Sequence, residues 1–211
     1  MVLLLDAANT IIHKPSFSEK FIGVLESHSI PVDRKTFAYH HKLLSEAIVF
    51  PDKTSKDFYM DFNRQLLFTL GILPQDELLN EVFLKCSYLP WVPFDDVKVL
   101  ADWKEEISVL SNFHAGLVEI LDACVPNIFS TLVISEKSSF RKPDIRFYQE
   151  AIDKLQVEPK DILYIGDSPK LDLNPALQTG MNAWLIDRDN FYPNCSRRIS
   201  SLAEIFKLAS R

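Results

Sequence analysis

Asp6 closes a short apolar run, Val2-Leu3-Leu4-Leu5, and is followed by Ala7-Ala8-Asn9-Thr10. A carboxylate at the C-terminal end of a buried strand is placed to act as a nucleophile or a metal ligand, because α/β proteins collect their functional side chains at the carboxyl ends of parallel strands. Three later runs end in a similar way. Ile107-Ser108-Val109-Leu110 leads to Ser111-Asn112, and a strand-end hydroxyl can donate a hydrogen bond to a phosphate oxygen. Thr131-Leu132-Val133-Ile134 leads to Ser135-Glu136 and then to Phe140-Arg141-Lys142-Pro143-Asp144, which offers a cation for an anionic group. Ile162-Leu163-Tyr164-Ile165 opens into Gly166-Asp167-Ser168-Pro169-Lys170-Leu171-Asp172, whose acids suit a hard divalent cation. Taken singly, each has an ordinary reading as a turn aspartate, a strand-end serine or a solvated basic turn.

The elements that must position these residues follow from hydrophobic patterning. The runs at 2–5, 107–110, 131–134, 162–165 and 183–186 are continuously apolar rather than alternating, as in strands buried on both faces of a parallel sheet. Helical stretches lie between them at Ala115 to Cys124, Ile145 to Leu155 and Pro175 to Thr179, the last stopped by Gly180. The alternation predicts a doubly wound, Rossmann-like α/β domain with its site at the C-terminal strand ends. From about Lys14 to Pro90 the strand signals give way to helix-period stretches near 17–27, 34–49, 55–70 and 75–87, punctuated by Pro31, Pro51 and Pro74. The expected organisation is an α/β core from 1–13 and 91–211 with an all-helical block, 14–90, inserted after the first strand.

In their order and their strand-end positions, the four segments resemble the four motifs of the haloacid dehalogenase superfamily. The stretch from Val92 to Arg188 reads almost continuously like a subfamily I member, and the helical block looks like that subfamily's cap. The resemblance implies a phosphatase in which Asp6 attacks phosphorus to give an aspartyl-phosphate and Lys142 neutralises the phosphate. Ser111 and Asn112 would orient its oxygens. Magnesium would be held by Asp6, the main-chain carbonyl of Ala8, Asp167 and Asp172, and the cap would select a small phosphorylated metabolite. Two residues depart from the pattern. Asn9 stands where the family has glycine, and Asn is among the residues that best tolerate positive φ. Ala8 stands where phosphatases carry the second aspartate of D-x-D-x-T, which protonates the leaving group. General acid catalysis contributes about 10²- to 10⁴-fold, so a phosphatase without it is expected to be slow on alkyl phosphates and less affected on aryl or acyl phosphates.

Three readings stay open on this sequence. One is a phosphatase that is impaired or draws on another acid, with His13 and Lys14 as candidates. Another is a hydrolase resembling the phosphonoacetaldehyde hydrolases, which carry D-x-A-x-T and form a Schiff base on a cap lysine; Lys20, Lys35, Lys42, Lys53 and Lys56 are available. The third is a binding or regulatory protein that has kept the scaffold and lost turnover. Dehalogenation fits less well, because dehalogenases replace the missing acid with a bulky aromatic residue and lack the Gly-Asp pair seen here as Gly166-Asp167.

Bulk properties narrow the classes further. A chain of 211 residues with 47% hydrophobic and 25% charged residues has ordinary globular composition and room for a core domain with an insertion. The net charge of −6 and the lack of a basic stripe argue against a nucleic-acid partner. Three widely spaced cysteines, Cys86, Cys124 and Cys195, suggest neither a disulfide framework nor a zinc site, which fits a reducing cytosol. No apolar stretch approaches a membrane span or a signal-peptide core, so a soluble cytoplasmic protein is expected. Substrate identity and oligomeric state carry no sequence signal.

Overall fold

The computed structural model describes residues 1–209. They form two compact units, one built from Met1–His13 and the chain from Val92 onward, the other from Lys14–Trp91.

The first unit is an α/β domain. Its sheet has the strand order β5-β4-β1-β6-β7-β8, with β1 at Val2–Leu5, β4 at Ile107–Ser111, β5 at Thr131–Ile134, β6 at Ile162–Gly166, β7 at Asn182–Ile186 and β8 at Arg198–Ile199. All neighbouring pairs are parallel. The central strands β1, β4 and β6 are buried along their whole length because both faces are covered; Leu3, Leu4 and Leu5 are fully buried. Strand order reverses around β1, with β4 and β5 on one side and β6 and β7 on the other, and such a switch point is where open α/β sheets bind ligands. Register fixes what meets there. Leu5 pairs with Val109 on one side and with Ile165 on the other, so Asp6 emerges close to Ser111 and Asp167.

Helix α6, Ile145–Leu155, shows how the layers close. Asp144 caps its N-terminus by accepting from the Arg146 N–H at 2.9 Å. Phe147, Tyr148, Ala151, Ile152 and Leu155 recur at helical spacing and pack against Leu4, Leu110, Val133 and Tyr164 of the sheet. Helix α5 spans Leu117–Cys124, and α7, at Asn174–Gln178, gives way to Gly180 at φ 86°. Strand β8, helix α8 at Ile205–Ala209 and a two-stranded antiparallel sheet, β2 (Ile12–His13) with β3 (Val92–Pro93), were not apparent in the sequence patterning. Elements of two to five residues are too short to establish a period.

The second unit holds four helices, α1 at Ser16–Ser27, α2 at Arg34–Ala47, α3 at Lys56–Thr69 and α4 at Asp76–Cys86. Their apolar faces share one core that includes Phe21, Leu25, Phe37, Phe62, Leu66, Leu79 and Val82. Asp33 and Ser55 cap α2 and α3 through the N–H groups of Thr36 (2.9 Å) and Phe58 (3.1 Å). Helix α2 stops at Ala47 rather than reaching Val49, since Ile48 is already extended at ψ 139°. Among the described residues, no helix is long and apolar enough to cross a membrane.

Candidate active site

The C-terminal ends of β1, β4 and β6 bring Asp6, Ser111 and the Asp167 segment together, and Lys142 reaches them from the loop before α6. Asp6 is buried, and its main-chain N–H donates to Ile165. Its Oδ1 accepts from the Lys142 ammonium at 2.7 Å and from the Ser111 hydroxyl at 3.3 Å. Asp6, Asp167 and Asp172 each present one carboxylate oxygen, and these oxygens lie within 4.8 Å of one another. Two of the three acids are buried and Asp167 is half-buried.

Like charges gathered in a poorly solvated place repel one another. Asp6 is pushed up to about 7, by burial above all, with Lys142 opposing the shift and Asp172 and Asp167 adding to it. Burial lowers the proton affinity of Lys142, but Asp172 and Asp6 outweigh it, so the ammonium is held charged. The donor set fits a hard divalent cation, because carboxylate oxygens are what magnesium or calcium prefers and the acids outnumber the one buried lysine.

Asp172 is fixed from three directions. Its Oδ1 accepts from Lys142 (2.6 Å) and from the Tyr164 hydroxyl (2.6 Å), and its Oδ2 accepts from the Ser168 N–H (3.0 Å). Burial, and then Asp172 itself, hold the Tyr164 phenol well above its usual titration range, so Tyr164 stays a donor. This arrangement explains Gly166. A Cβ there would lie 2.3 Å from Asp172 Cγ and 2.6 Å from its Oδ2. The carboxylate has no room to retreat without breaking its bonds to Lys142 and Tyr164. Gly166→Ala is therefore expected to destabilise by about 2–3 kcal/mol, the scale of core overpacking. For a domain of this size that lowers the melting temperature by roughly 4–12 °C, readable by thermal denaturation. An unchanged melting curve would mean that Asp172 is not held as described.

Asn112, expected on a phosphate oxygen, uses its side chain otherwise. Its Oδ1 accepts from the Lys142 N–H at 2.8 Å and its Nδ2 donates to the Lys142 carbonyl at 3.0 Å. The amide thus clasps the lysine's main chain in both directions, a contact across 30 residues of sequence that local pattern does not reveal. Ala8 is half-buried in the turn after β1. Asn9 has the left-handed φ, 62°, that its replacement of glycine suggests.

Of the candidates for a substitute acid, His13 fares poorly. The His13 ring stacks on Phe94 with centroids 3.8 Å apart, and burial followed by Arg188 lowers its proton affinity, which leaves the imidazole neutral at pH 7. Lys14 is also shifted down by burial, and its ammonium lies 4.8 Å from the Trp91 ring centroid. Among the helical unit's lysines, Lys20, Lys35, Lys53 and Lys56 are exposed, whereas Lys42 pairs with Glu46 at 2.9 Å, a contact that favours the charged amine over the neutral one a Schiff base needs. Sequence reading missed Tyr164, hidden inside an apolar run, and Arg188, although a charged residue just past a predicted strand's C-terminal end is a usable signal.

Residues 111–186 match the family model described as haloacid dehalogenase-like hydrolase. The chain is 35% identical over 82 residues to the bovine haloacid dehalogenase-like hydrolase domain-containing protein 3, covering 38% of this chain and 33% of that protein. It is 26% identical over 136 residues to a glyceraldehyde 3-phosphate phosphatase of Methanopyrus kandleri, covering 60% and 58%. The matches thus span a third to just over half of these relatives' own lengths. Among solved structures, a haloacid dehalogenase-type hydrolase of Bacillus subtilis determined with bound magnesium superposes with a TM-score of 0.67 at 17% identity, over 100% of this chain and 98% of that one. Over residues 111–186 the chain is thus similar to haloacid dehalogenase-like hydrolases, and its fold is similar to that of the Bacillus subtilis enzyme. Structures of similar fold include both phosphatases and dehalogenases, so fold alone does not separate the two chemistries.

Proposed function

We propose that this protein is a magnesium-dependent hydrolase of phosphoric monoesters, acting on a small phosphorylated metabolite through an aspartyl-phosphate on Asp6. The observation that carries the reading is the convergence of Asp6, Asp167 and Asp172, with their oxygens within 4.8 Å, beside the Lys142 ammonium 2.7 Å from Asp6. A dehalogenase attacking a carboxylate substrate has little use for such an acidic cluster. A phosphatase must offset the charge of its nucleophile and of the incoming phosphate.

Each residue then has a task. Asp6 attacks phosphorus with one carboxylate oxygen, and the bond to the leaving oxygen breaks. Lys142, held charged by Asp172 and positioned through its main chain by Asn112, lies against the transferring group and balances its charge. The Ser111 hydroxyl, 3.3 Å from Asp6, orients an oxygen by donation. Magnesium, held by Asp6, Asp167, Asp172 and the carbonyl of Ala8, would neutralise charge on the phosphoryl oxygens when bound. No carboxylate at position 8 is available to protonate the leaving group, so leaving groups of low pKa should react fastest. Substrate selection by the helical unit and a cytoplasmic setting belong to the same proposal.

Calorimetric titration with magnesium, alongside turnover of p-nitrophenyl phosphate, tests the metal assignment. Asp167→Asn is expected to weaken magnesium binding by about tenfold or more, since ligand charge largely sets the affinity of such sites. Identical titrations for the two proteins would refute the site.

A further inference from the structure

We propose that Arg188 is a positioning residue for the loop that carries the nucleophile. The inference rests on the proposed function, through the phosphatase reading for its kinetic consequence and through the magnesium site for its effect on metal affinity. Arg188 follows β7, and its guanidinium reaches across to the turn after Asp6. Nη1 donates to the Asn9 carbonyl at 3.2 Å and Nη2 to the Thr10 carbonyl at 3.0 Å. Nη2 also binds both oxygens of Asp96, at 2.8 and 3.1 Å. The guanidinium lies 3.9 Å from the Phe94 ring centroid, and Phe94 stacks on His13, at the far end of the same loop. Asp96 in turn accepts from the Ser201 hydroxyl (3.0 Å) and the Leu202 N–H (2.9 Å), so the anchor is itself anchored.

The loop has reason to need this. Asn9 sits at φ 62°, a left-handed conformation that asparagine tolerates better than most residues but that still costs more than it would for glycine. Ala8 has a methyl side chain and contributes no polar side-chain anchor of its own. The Asn9 N–H bonds Ile12 at 2.7 Å, which closes the turn from within, and Arg188 holds two of its carbonyls from outside. The planar fork of arginine suits two carbonyls and a carboxylate at once, which a lysine cannot match. Rotation of this turn would swing the Ala8 carbonyl and shift Asp6 against Lys142. A misplacement of about 1 Å can cost roughly 10²-fold in rate.

The plainer alternative is a partly exposed ion pair that adds stability and nothing more. Arg188→Met and Arg188→Lys separate the two. If Arg188 positions the loop, Arg188→Met lowers kcat on p-nitrophenyl phosphate by roughly 10- to 100-fold. It also weakens magnesium binding by calorimetry and leaves KM close to wild type, while Arg188→Lys recovers part of both losses. A folded Arg188→Met with a lower melting temperature but wild-type kcat and magnesium affinity overturns the inference. If the methionine variant does not fold, Arg188→Lys decides, and full activity with full metal affinity in that protein is equally fatal. A wild type that binds magnesium yet cleaves no phosphate ester refutes the phosphatase reading alone, and the magnesium affinities of the variants then judge Arg188. A wild type that neither binds magnesium nor turns over removes both.

Discussion

Asp6→Asn is expected to lower phosphatase turnover by about 10³-fold or more, because a carboxamide of the same size cannot attack phosphorus and removing a nucleophile forfeits the whole covalent route. The fold should survive, and a stability measurement makes the test sharper. Burial pushes the Asp6 carboxyl up to about 7 from an ordinary 3.8. A group whose folded pKa is raised favours the folded state fully below its unfolded pKa and loses that contribution as pH climbs through the folded value. In metal-free protein the ionised Asp6 is thus a burden that grows between about pH 4 and 7. Replacing it with a neutral amide relieves the burden, and Lys142 still has Asp172 at 2.6 Å. Metal-free Asp6→Asn should therefore melt at or above wild type near pH 8, with the difference shrinking as pH approaches 4. Turnover at the wild-type level would place the chemistry elsewhere. A loss of activity accompanied by unfolding would leave the role of Asp6 to be judged by trapping a phosphorylated aspartate in wild type.

How much of this site was legible depends on distance along the chain. Asp6, Ser111 and Asp167 each lie at the end of an apolar run, so strand ends were visible locally, and parallel register places the ends side by side; Asp172 was visible in the acid-bearing turn that follows Asp167. Lys142 was visible through the Arg-Lys-Pro-Asp stretch around it. What stayed hidden is what crosses the chain. The Asn112 side chain serves a backbone 30 residues away, and Arg188 serves carbonyls 178 and 179 residues away. Tyr164 was concealed for a different reason. In an apolar run it reads as core, and it is fully buried, yet its hydroxyl is one of three donors holding Asp172. Two-residue strands such as β8 were invisible because periodicity needs more residues than they contain.

Ala8→Asp tests whether the site is complete apart from its acid. A carboxyl at this position should raise kcat on alkyl phosphates by part of the roughly 10²- to 10⁴-fold that general acid catalysis supplies, and should change aryl phosphates much less. Geometry sets a condition on the gain. Position 8 is half-buried, and a new carboxylate would be a fourth acid near Asp6, Asp167 and Asp172, so its proton affinity should rise, as a general acid requires. The same repulsion could unsettle the turn, and the mutant's melting curve must accompany its kinetics. A folded Ala8→Asp that gains on alkyl substrates, with the aryl rate nearly constant, identifies leaving-group protonation as the missing step. Suppose instead that wild type cleaves phosphonoacetaldehyde and the substitution abolishes that activity: Ala8 is then an adaptation to carbon–phosphorus cleavage, and a neutral lysine must exist despite the exposed or ion-paired settings of the five considered. If neither protein turns over an activated phosphate with magnesium present, the scaffold has kept its acids for binding, and the enzymatic reading falls.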